Sequence, residues 1–280
     1  MGHIDTDGNN GRLADPSQLD TKISLGSDRD RVCHYLRNRK ECNCFRNANN
    51  RVSMLEVCPG LDFNNAQPDR FSPDQIADLT CFLCSPIGHA ASGEAVNAWT
   101  DLTGNVDLAQ GTGASQPLGS APGYGISYDG NDDVLTSTTA LSVVIDPMDY
   151  YYAIKFKPTD VTRDYDFLLT DSAGHFGCYI HLSNIYAYDS VGSSTAIAIT
   201  SGAWHVFECR QSGATRSVSL NGSTDIDQTS TGPAVQTNPL ELGGRSGAYQ
   251  FLGSISKLVI YDRALSVGER ARVRQWMQLA

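Results

Sequence analysis

Residues 125–135, GISYDGNDDVL, decide the fold of this chain of 280 residues. Within this stretch, Gly130 to Asp133 favours a tight turn, because Asn and Asp side chains form hydrogen bonds with their own backbone. Tyr128 and Val134 lie on either side of the turn, and both are expected to fill a hydrophobic core. The stretch therefore predicts a tight turn whose two flanks are buried.

The sequence from Glu94 onward has the pattern of short strands and turns. Short β-runs are separated there by turn signals every eight to twelve residues, which is the pattern of a β-sandwich. Residues 150–157 read as one strand, and Asn221-Gly222 is a strong hairpin signal. Residues 176–182 alternate, so that one face of a strand carries Phe176, Cys178, Ile180 and Leu182.

Two helices are predicted from capping signals. Ser72, with Pro73 at the first helical position and Gln75 closing a capping box, predicts a helix from Pro73 to about Cys84. Ser266 predicts a second helix that runs to Leu279. Only 6 Glu are present among many Asp, Ser, Thr, Asn and Gly, so long helices are not expected.

The charge of the chain is acidic and uneven. The formal net charge is −10, which argues against a nucleic-acid partner, because such binders neutralise phosphates with Lys and Arg. Residues 1–90 carry 10 basic and 12 acidic side chains, whereas residues 91–280 carry 11 and 19. No stretch reaches the roughly 18 apolar residues of a spanning helix, and the N-terminus lacks the apolar run of a signal peptide. We therefore expect no membrane insertion and no export signal.

These shifts in composition divide the chain into three parts. Residues 1–30 are predicted to be an extended polar arm. Residues 31–90 form a small, irregular, Cys-rich region that we expect to act as an anchor. Residues 91–280 are predicted to be one antiparallel β-sandwich of the jelly-roll kind with a C-terminal helix, so the fold class is mainly β.

Six of the 8 cysteines lie in the first 84 residues. Disulfides that staple a region with a small core are the first expectation. Close spacings also put thiols within reach of one metal ion, so a structural zinc site or an iron–sulfur cluster is the second reading, and free thiols are the third. The candidate ligands are Cys33, Cys42, Cys44, Cys58, Cys81 and Cys84.

A family resemblance rests on several segments in order. Residues 98–105, AWTDLTGN, precede the stretch at 125–135; Trp204-His205-Val206, Leu242-Gly243-Gly244 and residues 251–266 follow. Together they resemble a laminin-G-like, concanavalin-A-like jelly-roll domain over roughly residues 95–280, of the kind found in bacteriophage tail and virion proteins.

The resemblance implies two antiparallel sheets packed face to face. It also places Trp99, Trp204 and Ile260 in the core beside Tyr128 and Val134. Some relatives hold calcium through loop carboxylates, and the corresponding oxygen donors here would be Asp129, Asp132 and Asp133.

The fold hosts lectins, glycan-cleaving enzymes and structural modules alike. Glucanases of this architecture carry Glu-x-Asp-x-x-Glu on one strand, because retaining hydrolysis needs two carboxyls close together. This sequence contains no such motif, and no nucleophile elbow, zinc-protease helix or phosphate-binding loop. We therefore predict that the chain has no catalytic residues and is not an enzyme.

A bacteriophage virion protein reconciles an outward-facing jelly roll with a chain that lacks an export signal. In this hypothesis the protein belongs to the tail tip, a fibre or the head decoration. Its N-terminal region binds other virion proteins as a homo-oligomer, and its jelly roll faces a host-surface glycan. The alternative is an extracellular bacterial carbohydrate-binding or adhesion module, and a glycan hydrolase with an unrecognised site is the third reading.

Aromatic side chains in loops are the candidate carbohydrate contacts, because such rings combine an apolar face with a polar tip. We expect His175, His181 and His205 to be ordinary half-exposed histidines, and Cys178 and Cys209 to be buried thiols or a cross-strand bridge. The candidate carbohydrate contacts are Tyr124, Tyr165, Tyr186, Tyr188 and Tyr249.

Overall fold

The computed structural model describes residues 71–84, 92–120, 125–140, 145–189, 192–230, 232, 238–245 and 248–278. Over these residues the chain forms two antiparallel sheets packed face to face, with a C-terminal helix on the outer face of one sheet. The predicted fold class is therefore confirmed. The polar arm and most of the Cys-rich region lie outside the described residues, so the domain division stays a prediction.

Sheet I has eight strands in the order β15-β14-β13-β7-β17-β5-β4, and β1 also pairs with β17. Its strands are β1 Leu79–Cys84, β4 Leu118–Gly119, β5 Ile126–Asp129, β7 Asp149–Pro158, β13 His205–Ser212, β14 Thr215–Leu220, β15 Ile226–Thr229 and β17 Leu252–Tyr261.

Sheet II has nine strands in the order β11-β10-β9-β8-β16-β6-β3-β2, and β12 also pairs with β10. Its strands are β2 Ala98–Trp99, β3 Leu108–Ala109, β6 Leu135–Ala140, β8 Asp166–Asp171, β9 Phe176–His181, β10 Asn184–Asp189, β11 Gly192–Ser193, β12 Ile197–Ala198 and β16 Pro239–Leu242.

The core lies between the two sheets and is rich in aromatic rings. Tyr152 of sheet I meets Phe176 of sheet II edge to face, with ring centroids 5.5 Å apart. Tyr128, Val134, Trp99 and Ile260 are buried as predicted. Trp204, which was expected in the core, is only half-buried and lies on the outer side of sheet I, where lysines cover it. Trp204 lies just before β13, so it sits at the end of sheet I rather than in the core between the sheets.

The predicted turn at residues 130–133 joins β5 to β6 through hydrogen bonds of its own side chains. The backbone N–H of Asp129 donates to Oδ2 of Asp133 at 2.8 Å, and the backbone N–H of Asn131 donates to Oδ1 of Asp129 at 2.8 Å. Gly130 has a φ of 77°, which only glycine adopts without cost. The hairpin at Asn221-Gly222 is likewise confirmed, and it joins β14 to β15.

The predicted helix from Pro73 to Cys84 is wrong. Only Pro73–Gln75 form a short 3-10 turn, and Leu79–Cys84 form a strand that pairs with β17. Cys81 faces the core between the sheets, whereas Phe82 packs beneath the C-terminal helix. Both faces of the strand are buried, so its apolar run has no period that separates strand from helix, and tertiary pairing overrides the capping signal at its start.

The C-terminal helix α1, Val267–Gln278, is confirmed. Its capping box is formed, since the backbone N–H of Ser266 donates to Oε2 of Glu269 at 2.9 Å and the N–H of Glu269 donates back to Oγ of Ser266 at 3.4 Å. Trp276 packs edge to face on Phe82 at 5.0 Å, which fixes the helix on sheet I. Within the described residues, neither length nor hydropathy would let a helix cross a membrane.

Candidate functional site

The outer face of sheet II carries a cluster of aromatic rings on strands β8, β9 and β10. In β9, Cys178 and Ile180 fill the core, so Tyr179 and His181 point to the outer face. The same alternation in β10 turns Tyr186 and Tyr188 outward. We call this cluster the aromatic platform and define it as Tyr165, Phe167, Tyr179, His181, Tyr186, Tyr188 and Tyr249.

Tyr179 lies at the centre of the platform. Its ring centroid is 5.1 Å from that of Tyr186, with planes only 15° apart, and 5.5 Å from those of Tyr165, Phe167 and Tyr188. The strand register explains this arrangement, because Phe167, Tyr179 and Tyr186 are directly opposite one another in neighbouring strands. Tyr179 also shares a hydrogen bond of 2.8 Å with the hydroxyl of Ser193, and partial burial raises its pKa.

A glycine beneath the platform lets Tyr188 lie flat across the sheet. Gly177 stands between Thr170 and Tyr188 in one cross-strand row, and it has no side chain to block the tyrosine. The hydroxyl of Tyr188 therefore reaches over β9 and forms a hydrogen bond with the hydroxyl of Thr170. Burial raises the pKa of Tyr188 well above its ordinary value. Tyr188 thus supports the platform from below and offers little of its ring to a ligand.

The rim of the platform is exposed and held in an unusual backbone conformation. Tyr165, Leu182 and Tyr249 are 41%, 55% and 47% exposed. Their φ angles are 60°, 45° and 62°, in the left-handed region that bulky residues avoid at a cost of roughly 1–2 kcal/mol each. The backbone N–H of Phe167 donates to the carbonyl of Tyr249 at 3.0 Å, which fixes this strained loop to β8. Strain of this kind is concentrated at functional sites in proteins.

His181 belongs to the platform and is more than an ordinary half-exposed histidine. Its ring stacks on Tyr165 at 4.4 Å, and its Nδ1 lies 3.3 Å from Oδ1 of Asp164. The expectation that Leu182 shares the buried face of β9 is wrong. The strand ends at His181, and Leu182 with Ser183 forms the exposed turn into β10, where both residues have positive φ.

The structure brings four of the five tyrosines chosen from the sequence into one cluster, namely Tyr165, Tyr186, Tyr188 and Tyr249. The fifth, Tyr124, lies outside the described residues. Phe167, Tyr179 and His181 were not among the sequence candidates. The alternation of residues 176–182 could have predicted two of them, because Tyr179 and His181 lie on the strand face opposite the apolar one.

The cysteines of the predicted metal site are not brought together in the part of the chain that the structure describes. Cys81 faces the core between the sheets and Cys84 faces α1, so the two thiols lie on opposite sides of β1. The remaining candidates, Cys33, Cys42, Cys44 and Cys58, lie outside the described residues, so zinc, a cluster or disulfides stay predictions for them.

The other two cysteines, Cys178 and Cys209, are buried thiols, as expected. They lie in opposite sheets, and both belong to the core. Burial raises the pKa of Cys209 to about 12 and that of Cys178 further, so both stay protonated at neutral pH.

The carboxylates proposed as calcium ligands do lie together. Oxygen atoms of Asp129, Asp132 and Asp133 are within 4.8 Å of one another. Burial, and then the charges of Asp129 and Asp132, raise the pKa of Asp133 to about 6. Calcium takes six to eight oxygens, and both oxygens of Asp129 already accept hydrogen bonds from Asn131. The donor type fits calcium and the number of donors covers part of its shell, so calcium stays a prediction.

Comparison with known proteins places the fold in a family. A family model described as the concanavalin A-like lectin/glucanases superfamily matches residues 129–269. The chain is similar to Trypanosoma rangeli sialidase in complex with 2,3-difluorosialic acid, with a TM-score of 0.56 and 13% identity over 73% of this chain and 34% of that one. The same sialidase in complex with sialic acid gives 0.53 and 15% over 71% and 33%.

A crystal structure of a mutant of HCR/D is similar as well, with a TM-score of 0.55 and 12% identity over 72% of this chain and 52% of that chain. No curated protein sequence matches. The chain spans about a third of the length of the sialidases it matches. At these identities the likeness establishes the fold.

The prediction that the chain is not an enzyme is wrong. It rested on the absence of glucanase and other motifs, whereas the chains that share this fold include sialidases. Sialidases are glycan hydrolases that use a tyrosine nucleophile in place of the usual pair of carboxylates. The absence of Glu-x-Asp-x-x-Glu therefore does not exclude catalysis.

Proposed function

The chain belongs to the concanavalin A-like lectin/glucanase superfamily, and from this membership we propose that it is a carbohydrate-binding module whose aromatic platform contacts the sugar. One observation carries the proposal: exposed aromatic rings are held in strained backbone conformations on an open sheet face. Rings in such positions suit a sugar, because the apolar face of a tyrosine takes C–H groups and its hydroxyl takes a hydrogen bond.

The platform is built to be rigid before a ligand arrives. Tyr179 stacks on Tyr186 and contacts the exposed Tyr165, so the rim rests on a layer of rings that is itself packed. Tyr249 is braced by both Tyr165 and Phe167 at 5.8 Å. Rings that are already fixed lose little conformational entropy on binding, which favours affinity for a small ligand.

Polar groups beside the rings would orient the sugar. His181 and Asp164 form a pair at the rim, and the hydroxyls of Tyr179 and Ser193 share a hydrogen bond beside the rings. The matched sialidases were solved with sialic acid and with 2,3-difluorosialic acid, so this fold occurs in chains that bind sugars. The chain corresponds to only a third of those proteins, and the identity of its own glycan is a question for experiment.

The bacteriophage virion role, with its host glycan and its virion partners, stays a prediction. It depends on an N-terminal anchor in residues 31–90, of which residues 31–70 and 85–90 lie outside the described residues. The carbohydrate-binding module, which was the alternative reading, is favoured because it rests on the described platform and on the family.

A glycan array with the full chain, followed by calorimetric titration of the best ligand, tests the proposal. Tyr165→Asn and Tyr249→Asn remove the exposed rings but suit the backbone, because Asn tolerates positive φ. We expect each variant to lose at least tenfold in affinity, or about 1.4 kcal/mol. Leu118→Ala is the matched control, since Leu118 is 44% exposed on sheet I. An array without any bound glycan, or variants that bind like the control, would overturn the proposal.

A further inference from the structure

The strands beneath the aromatic platform carry no lysine or arginine. Sheet II is a nine-stranded sheet, and neither residue type occurs in any of its strands. The lysines of the described residues belong instead to β7 and β17 of sheet I, and they are Lys155, Lys157 and Lys257. An anionic sugar on the platform would therefore find no ammonium group in the sheet that supports it.

The two arginines in the loops beside the platform are directed at the protein itself. The guanidinium of Arg163 donates to the carbonyl of Gly130 at 2.8 Å, and its Nε lies 3.4 Å from the buried carboxylate of Asp166. The guanidinium of Arg245 donates to the carbonyl of Ala173 at 2.9 Å. This use of their donors disfavours a sugar carboxylate or sulfate at the platform.

The rim of the platform presents a carboxylate. The side chain of Asp164 is 72% exposed, and Asp164 directly precedes Tyr165 in the chain. His181 contacts both residues, because its ring stacks on Tyr165 at 4.4 Å and its Nδ1 lies 3.3 Å from Oδ1 of Asp164. The two oxygens of a carboxylate accept about four hydrogen bonds, so Asp164 can keep this contact and also accept from a ligand.

The exposed rings next to this carboxylate suit a cation. Tyr165 and Tyr249 lie edge to face with ring centroids 5.8 Å apart, and both are exposed. The face of a tyrosine ring attracts an ammonium group that lies within about 6 Å of its centre. Because Asp164 lies beside the same rings, an ammonium group at the rim can pair with the carboxylate and contact a ring at the same time.

We propose that the aromatic platform selects amino sugars, whose protonated amine pairs with Asp164 and lies against the exposed tyrosine rings. This preference rests on the proposed function, since it names the class of saccharide for the same site. The C–H groups of an amino sugar contact the rings, while its ammonium group supplies three hydrogen-bond donors. Asp164 is thus a specificity-determining residue that favours a cationic sugar and disfavours an acidic one.

Titration of the full chain with three trisaccharides tests the proposal. Triglucosamine, tri-N-acetylglucosamine and cellotriose share one backbone and differ only in the group on the second carbon of each ring. In a mildly acidic buffer the amines of triglucosamine are protonated, whereas the other two sugars are neutral. We expect triglucosamine to bind about tenfold more tightly than either, because an exposed ion pair and a cation–π contact are added. Salt should weaken only this binding. Triglucuronic acid with the same linkage is anionic and should bind most weakly.

Asp164→Asn removes the charge and keeps the size of the side chain. We expect it to lower the affinity for triglucosamine about fivefold and to leave the affinity for cellotriose unchanged. Asp227→Asn is the matched control, because Asp227 is an exposed carboxylate in β15 of sheet I and its loss changes the net charge equally. Equal losses in the two variants would show a general attraction to the acidic chain and would refute the role of Asp164.

Failure of the amino-sugar preference and failure of the proposed function give different results. If cellotriose or triglucuronic acid binds as tightly as triglucosamine and this binding is lost in Tyr249→Asn, the platform binds carbohydrate and only the preference is wrong. If no saccharide binds, or if Tyr165→Asn and Tyr249→Asn bind triglucosamine like the wild type, both are wrong. Unfolding midpoints verify that each variant is folded.

Discussion

Gly177→Ala should destabilise the protein more than an ordinary glycine substitution, because β8 and β9 approach each other closely at this position. A Cβ on Gly177 would lie 1.8 Å from the carbonyl oxygen of Leu169 and 2.9 Å from Cα of Thr170. Contacts below about 3 Å are repulsive, so the two strands would have to separate by about 1 Å. The φ of 135° adds a backbone cost, and the two effects together give roughly 3–5 kcal/mol.

Urea unfolding measures this cost. With a slope of about 2 kcal/mol/M, the midpoint should fall by about 1.5–2.5 M without a change in slope. Gly192→Ala is the control, because Gly192 has a similar φ of 155° but has nothing within 4 Å of an added Cβ. We expect it to lose about 1–2 kcal/mol from the backbone alone. Separation of β8 from β9 would also move Phe167 away from Tyr179, so glycan affinity should fall in Gly177→Ala. Equal losses in the two variants would refute the argument from close approach.

Three further predictions concern charged groups. Glu208→Gln should lower the free energy of unfolding by about 3 kcal/mol, because the buried carboxylate accepts hydrogen bonds from Arg274 at 2.6 Å and 3.1 Å. Thermal unfolding measures this loss. Asp78→Asn, in an exposed ion pair with Arg263, is the control and should lose less than about 1 kcal/mol. Since the pKa of Asp133 is raised to about 6, above the roughly 3.9 of an unfolded chain, the native state holds the extra proton and stability falls as the pH rises from 4 to 7. The advantage of Asp133→Asn in urea midpoint should therefore be larger at pH 7 than at pH 4.5. Calcium should raise the wild-type midpoint at pH 7 and leave Asp132→Asn unchanged; equal shifts would contradict the calcium prediction.

Local chemistry made some elements predictable. The turn at residues 130–133 and the cap at Ser266 depend on side chains that bond to backbone a few residues away. The turn at Asn221-Gly222 depends on two adjacent residues that adopt positive φ. Contacts and backbone preferences of this local kind can be predicted from neighbouring residues in the sequence. The strand Leu79–Cys84 depends instead on a partner some 180 residues away in β17, and Ser72 with Pro73 carried a competing helix signal. Pairing over such a distance decides between strand and helix, and a local pattern does not record it.

The platform was predictable in composition but not in assembly. Tyr165, Tyr186 and Tyr188 were candidates because they are aromatic and lie near turns. Their convergence requires the strand order β10-β9-β8, and Tyr249 joins them from the loop before β17. The same limit applies to Trp204, which was assigned to the core because it is large and apolar. Trp204 lies over the lysines because β13 begins only after it, at the end of sheet I, and the sequence pattern does not show where the sheet ends.

The contrast between the two outer faces gives the strongest internal argument for a ligand. On sheet I, α1 covers the outward rings of Tyr151 and Tyr261, which are fully buried against Val273 and Trp276. On sheet II no helix among the described residues covers the platform, and Tyr165 and Tyr249 stay exposed at a conformational cost. Folding alone gains nothing from strained rings that face water, since a polar residue or glycine would avoid both penalties. A sugar that takes the place of the missing cover accounts for both the exposure and the strain.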